Sequence, residues 1–139
     1  MTKWAVVKFL EFVDQKRGGV LVASEVIRDT NGAFEAARRV YYIVNNTGDA
    51  IKRGGHYHPH GGKQEIWLVP VGRVTTNLHS AKECQEVVLD SRDRALFIPG
   101  DVWHDARLDP GTVLICIAST NYNPAESISS LPSCACKKL

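Results

Sequence analysis

Three of the five histidines in this 139-residue chain fall within five positions, at His56, His58 and His60. Imidazole has an unperturbed pKa of about 6.5, so it takes up and returns protons near neutral pH, and its lone pair binds first-row metals. Along a β-strand, residues i and i+2 face the same way, which puts His56 and His58 on one surface. His60 would join them only if the strand ran on. Pro59 and Gly61-Gly62 end it, so His60 is read as an exposed loop residue. Further along come Glu65 and, in a separate segment, His104 behind Pro99-Gly100-Asp101-Val102-Trp103. Two His, one Glu and a distant His form a ligand set suited to Fe, Mn, Ni, Cu or Zn. His79 follows a strand end and is expected to be solvated; Trp67 and Trp103 read as packing residues.

Strands have to carry these residues. The apolar positions recur with period two or in short runs, seldom with period 3.6. Strands are expected over 4–10, 20–26, 39–44, 65–71, 74–78, 86–89, 95–98 and 112–119, all rich in the β-branched and aromatic residues that suit a pleated surface. Breakers separate them: Arg17-Gly18-Gly19, Thr30-Asn31-Gly32, Asn45-Asn46-Thr47-Gly48, Pro99-Gly100 and Asp109-Pro110-Gly111. In 112–119 both faces are apolar, so this strand is expected at the centre of a sheet between two packed layers, and 66–71 less strongly so. Only 33–38 and the stretch after Pro124 look weakly helical. The pattern predicts a single all-β domain over residues 1–128, an antiparallel jelly roll of eight or more strands, with a polar tail over 129–139.

Composition removes other classes. Seventeen Lys+Arg against 15 Asp+Glu leave a net charge of +2, too small for the basic field that nucleic-acid binders use. With 44% apolar residues the chain can build a core at single-domain length. No run approaches the roughly 20 apolar residues of a membrane-spanning helix, so no membrane partner is expected. The N-terminal apolar runs are broken by Lys8 and Glu11 and lead to no small-residue cleavage site, so a cytoplasmic protein is expected. Four cysteines do not call for a disulfide framework in a chain with its own core. Cys134 and Cys136 lack two further zinc ligands nearby, and the C-terminal CKKL lacks the aliphatic pair of a prenylation signal.

The stretch from Arg53 to Gly72 resembles a cupin. His56, His58, Glu65 and Gly72 match its first motif, H-x-H followed by a loop and E-x6-G, and Pro99 with His104 matches its second, P-x4-H. The loop between His58 and Glu65, six residues long, exceeds the usual one. This resemblance implies an RmlC-like double-stranded β-helix, usually a homodimer, with the histidines at the barrel mouth. A narrower resemblance runs from about residue 9 to 128. Asp14-Gln15-Lys16-Arg17-Gly18-Gly19 before Leu21-Val22-Ala23, then Arg39-Val40-Tyr41-Tyr42-Ile43, then Arg53-Gly54-Gly55-His56-Tyr57-His58, are similar to motifs of the FdtA/QdtA-type (WxcM-like) sugar 3,4-ketoisomerases. Val102-Trp103-His104, Ala118-Ser119 and Tyr122 also fall in place.

The resemblance implies isomerisation of a nucleotide-linked 4-keto-6-deoxyhexose, of the dTDP-4-keto-6-deoxyglucose type, to its 3-keto form in deoxyamino-sugar and polysaccharide biosynthesis. It implies His56 and His58 as base and acid and no cofactor. Arg39 and Arg53 are the expected donors to the enediolate and pyrophosphate, because a guanidinium grips such oxygens with a planar fork. Arg17 is a lesser candidate. Tyr41 or Tyr42 would contact the sugar, only one of them because neighbours on a strand face opposite ways. His104 would be a ligand, a sugar contact or a wall residue. Glu65 stands where the family generally has Gln, which leaves room for a divalent metal on His56, His58, Glu65 and His104. The alternatives are therefore a metal-dependent cupin enzyme, a 3,5-epimerase acting on the same substrate class, or a sugar-binding cupin without turnover.

Overall fold

Alternation of apolar and polar residues resolves into eleven strands in the computed structural model, which describes residues 3–8, 10–13, 16–23, 25, 29–58 and 62–130. One antiparallel sheet has five strands in the order β1 (Ala5–Lys8), β9 (Arg94–Ile98), β6 (Glu65–Val71), β11 (Val113–Ala118), β4 (Arg39–Val44). The facing sheet has four, in the order β5 (Ile51–His56), β10 (Trp103–Leu108), β7 (Val74–His79), β8 (Cys84–Leu89). A separate hairpin joins β2 (Leu10–Val13) to β3 (Val20–Ala23). The core lies between the two large sheets: Trp67, Val69, Leu96, Ile98, Leu114 and Cys116 meet Val74, Leu78, Val87, Leu89, Ala106 and Leu108. Burying these chains supplies the main driving force for closing the sandwich.

β11 sits between β6 and β4, which explains why both its faces are apolar. Leu114, Cys116 and Ala118 are buried, and Ile115 and Ile117 are half-buried on the outside. On that outer face a second cluster forms around Phe34, Ile66, Ala95 and Phe97, with Val7, Val22 and Ile117 packed against it.

Three expectations need correction. Residues 33–38 are not helical, because Phe34 is fully buried as a plug on the outer sheet face and its segment runs over that face irregularly. After Pro124 there is only a short 3-10 turn, Pro124–Glu126. His79 is not solvated; it is 1% exposed at the end of β7, with its ring edge-on to Trp103 at 5.4 Å. β5 and β10 were not anticipated as full strands. His60, Cys134 and Cys136 lie outside the described residues; Cys84 is disulfide-bonded, although a chain with its own core needs no disulfide, and Cys116 is free and buried.

Candidate active site

β5 and β10 run side by side, so the end of one brings His56 opposite His104 at the start of the other. Beyond His56 the chain stays extended. Tyr57 exchanges two backbone hydrogen bonds with Ile128, and the His58 N–H donates to the Gly100 carbonyl at 2.7 Å. Gly100 is needed for that approach: a Cβ there would come within 2.7 Å of the Lys63 carbonyl oxygen and 2.9 Å of the His58 carbonyl oxygen. The Pro99-Gly100 turn thus clasps both ends of the loop that carries His58 and Lys63.

The three imidazoles converge. Ring centroids are 4.8 Å apart for His56 and His58, 5.1 Å for His56 and His104, and 6.1 Å for His58 and His104. His58 is buried, yet neither ring nitrogen has a hydrogen-bond partner. Burial first, then the positive charge of Lys63, pushes its pKa down to about 4, against a smaller upward pull from Glu65. Burial, then His104, also lowers His56. Both rings are therefore neutral near pH 7, with lone pairs free to take a proton.

Behind them lies Glu65, 1% exposed at the start of β6. Its Oε1 accepts from the Tyr41 hydroxyl at 3.0 Å and meets Lys63 Nζ at 3.1 Å. Its Oε2 accepts from the Trp67 indole N–H at 2.9 Å and lies 3.4 Å from His104 Nε2 without hydrogen-bond alignment. Burial would raise the Glu65 pKa, but His104, Lys63 and Trp67 together hold it well below the usual carboxylate range. Burial, then the Glu65 charge, pushes the Tyr41 phenol far upward, so Tyr41 is a donor and not a base. The His104 Nδ1 faces the Val102 carbonyl at 3.0 Å, which fixes the ring with Nε2 turned inward.

These groups border a pocket of about 320 Å³ lined by Arg39, Tyr41, His56, His58, Lys63 and the segment from Asn121 to Ser127. The Arg39 guanidinium stacks between the Tyr41 ring at 4.6 Å and the Tyr122 ring at 4.9 Å. A larger cleft of about 450 Å³ lies beside β1, but it gathers Lys3 and Asp29 among mostly apolar walls and holds no imidazole. Of the two, the smaller pocket is the one lined by imidazoles.

Among the anticipated residues the structure brings together His56, His58, His104, Arg39 and Tyr41. Tyr42 is excluded because it points to the other face of β4 and is 69% exposed. Arg53, on the exposed stretch of β5, and Arg17, in the turn before β3, do not line the pocket. The expected convergence of three arginines reduces to Arg39. Glu65 does not join the metal set either: the ligand atoms of His56, His58 and His104 lie within 4.8 Å of one another, while Glu65 faces its own donors. Sequence reasoning missed Lys63. Its spacing from Glu65 carried no signal, because Lys63 precedes β6 and the period-two rule holds only within a strand.

An antiparallel jelly roll with converging imidazoles at one end is a cupin of the RmlC-like kind. A family model described as FdtA, WxcM-like C-terminal, matches residues 2–134, and the chain belongs to that family. It is 29% identical over 124 residues to the TDP-4-oxo-6-deoxy-alpha-D-glucose-3,4-oxoisomerase of Aneurinibacillus thermoaerophilus, covering 88% of this chain and 84% of that one. It is similar, with a TM-score of 0.76 and 27% identity, to a histidine-to-asparagine mutant of the 3,4-ketoisomerase QdtA from Thermoanaerobacterium thermosaccharolyticum in complex with TDP-4-keto-6-deoxyglucose; the match covers 94% of this chain and 89% of that one. A 3,4-ketoisomerase from Helicobacter canadensis matches with a TM-score of 0.78 at 26% identity, over 94% and 92% of the two chains.

Proposed function

We propose that this protein is a sugar 3,4-ketoisomerase that moves the carbonyl of a nucleotide-linked 4-keto-6-deoxyhexose, of the TDP-4-keto-6-deoxyglucose type, from C4 to C3. The observation that carries the reading is the pair His56 and His58: neutral imidazoles, 4.8 Å apart, bordering the pocket of a fold shared with such isomerases. One of the pair takes the proton from C3, and the C–H electron pair becomes the C3=C4 bond while the C4 carbonyl pair moves to oxygen. The enediol proton passes from O3 to O4. A proton delivered to C4 then completes a 3-keto, 4-hydroxy product. C3 is oxidised and C4 reduced within one molecule, so no external redox partner is required. General acid–base catalysis of this kind contributes roughly 10²–10⁴-fold.

Arg39, held flat by two tyrosines, offers its free edge to the pyrophosphate. Tyr41 bounds the sugar, with His104 buried behind the imidazole pair. The product's NMR spectrum tests the assignment: a 3-keto sugar supports it, and a C3 or C5 epimer retaining the 4-keto group points to the epimerase instead.

A divalent cation has a narrower fit. His56, His58 and His104 would hold it, and it would supply Lewis-acid polarisation of a substrate oxygen. Metal analysis of protein purified without an affinity tag decides: stoichiometric metal with activity lost on chelation supports that reading, and full activity after chelation removes it.

The chain is further proposed to work as a cytoplasmic homodimer. Val40, Tyr42 and Val44 leave 63%, 69% and 48% of their surfaces exposed along β4, an edge strand of the large sheet. Such an apolar stripe suits a second copy of the chain. Sedimentation of the wild type as a dimer and of Tyr42→Glu as a monomer supports this; a monomeric wild type contradicts it. Among the described residues no helix is long and apolar enough to cross a membrane.

A further inference from the structure

Lys63 is a buried ammonium on the wall of the reaction pocket, and the mechanism above gives it no task. Its side chain is 10% exposed, and its Nζ lies 3.1 Å from Glu65 Oε1 and 5.9 Å from the centre of the Tyr41 ring. It lines the same pocket as His56 and His58. Glu65 has other partners: the Tyr41 hydroxyl, the Trp67 indole and His104 already face its two oxygens. An ammonium has three N–H groups, and Glu65 uses one of them. The Gly100 backbone packs closely against the backbone of Lys63, leaving no room there for a Cβ.

We propose that Lys63 is a catalytic residue whose ammonium, held by Glu65, donates to the enediolate oxygen formed between the two proton transfers. The inference rests on the ketoisomerase reading and deepens it. When the C3 proton leaves, the C4 carbonyl oxygen takes a full negative charge in a pocket whose inner wall holds the buried His58 and Lys63. A fixed cation stabilises that charge more than it stabilises the neutral ketone, which is the condition for accelerating the step instead of merely binding substrate. The charge stays on the enediolate until C4 is protonated, so Lys63 neither gains nor loses a proton in the cycle. Glu65 anchors the ammonium beside the imidazole pair and acts as a positioning residue. The Glu65–Lys63 pair makes this cation part of the pocket wall.

A structural alternative has Lys63 only neutralising a buried carboxylate. Three variants separate the two: Lys63→Met, Glu65→Gln, and both together, each assayed with TDP-4-keto-6-deoxyglucose and by thermal melting. Lys63→Met should lower kcat about 10²–10³-fold, the loss typical of removing one oxyanion donor, with KM within a few fold of wild type. The double variant has no buried charge left to neutralise, so its melting temperature should recover while its kcat stays down. Recovery of kcat in the double variant, or wild-type kcat in Lys63→Met, overturns the role of Lys63 and leaves the isomerase reading standing. A wild type that forms no 3-keto product overturns both.

Discussion

Two groups of buried polar side chains stand within one ring contact of each other, and the fold treats them oppositely. Around Glu65 each carboxylate oxygen has a donor: Tyr41 and Lys63 on one, the Trp67 indole on the other. Around His58 neither nitrogen has a partner. Trp67 and His104, with ring centroids 5.3 Å apart, form the border between them. A buried polar atom without a hydrogen bond costs about 1–3 kcal/mol, so a fold keeps one where something else will fill it. On the proposed reading the saturated cluster is the scaffold, and the unsaturated imidazole receives the substrate chemistry.

That contrast predicts different failures on the two sides. The largest effect on rate should come from the unsatisfied side. His56→Asn or His58→Asn should cost about 10²–10⁴-fold in kcat while leaving the melting temperature near wild type, because few interactions within the folded chain are lost. A melting temperature that falls as far as the activity would erase the distinction. The largest effect on stability should come from the saturated side. Glu65→Ala strands the Lys63 ammonium and leaves the Tyr41 hydroxyl and Trp67 N–H unpaired, a loss of about 3–5 kcal/mol and a melting temperature lower by on the order of 10 °C. Unchanged melting would mean that the cluster is not a scaffold.

Acid should affect both sides with the same sign. His58 titrates near pH 4 when folded and 6.5 when unfolded, so between those values the unfolded chain binds more protons and stability falls as pH drops. Glu65, depressed from 4.5, adds a further loss once the pH falls below that value. The groups facing His58 are Lys63, Glu65, His56 and His104, and their combined field sets the shift. Consistently, the acid limb of kcat/KM should lie below pH 6.5, since both imidazoles are held neutral to lower pH than an exposed histidine. A limb at or above 6.5 would contradict the buried-pair geometry. The smallest effect belongs to the rim. Tyr122→Ala removes one face of the Arg39 stack, worth about 0.5–1 kcal/mol, and should raise KM only a few fold without changing kcat.

The sequence announced most of the sandwich because its strands alternate cleanly. The bounds of β4 and β6 agree with the alternation, and β11, apolar on both faces, lies inside the sheet one strand in from the β4 edge, with β6 at the centre. β5 and β10 escaped for local reasons. In β5 the pair Gly54-Gly55 has positive φ and breaks the period opposite an irregular register at His104 and Asp105. In β10 the inward positions include His104 and the small Ala106, which give little hydrophobic signal. Phe34 shows tertiary packing overriding a weak helical pattern. The imidazole pair could be read from spacing, since i and i+2 share a face. Lys63 could not, because it belongs to a loop whose position is set by Gly100 some forty residues away, and arginine convergence failed because equal charge does not imply equal direction. Glu65 was visible as a residue, but its role was not: only the geometry shows that its oxygens are already engaged.

Solvent deuterium exchange tests the central claim most directly. With TDP-4-keto-6-deoxyglucose in deuterated water, the wild type should place deuterium at C4 of the 3-keto product, and His56→Asn or His58→Asn should lose that incorporation while remaining folded. Product without solvent deuterium would contradict a scheme in which one histidine takes the C3 proton and the other, exchanged with solvent, supplies the proton at C4. Full incorporation in both single variants would take the chemistry away from His56 and His58.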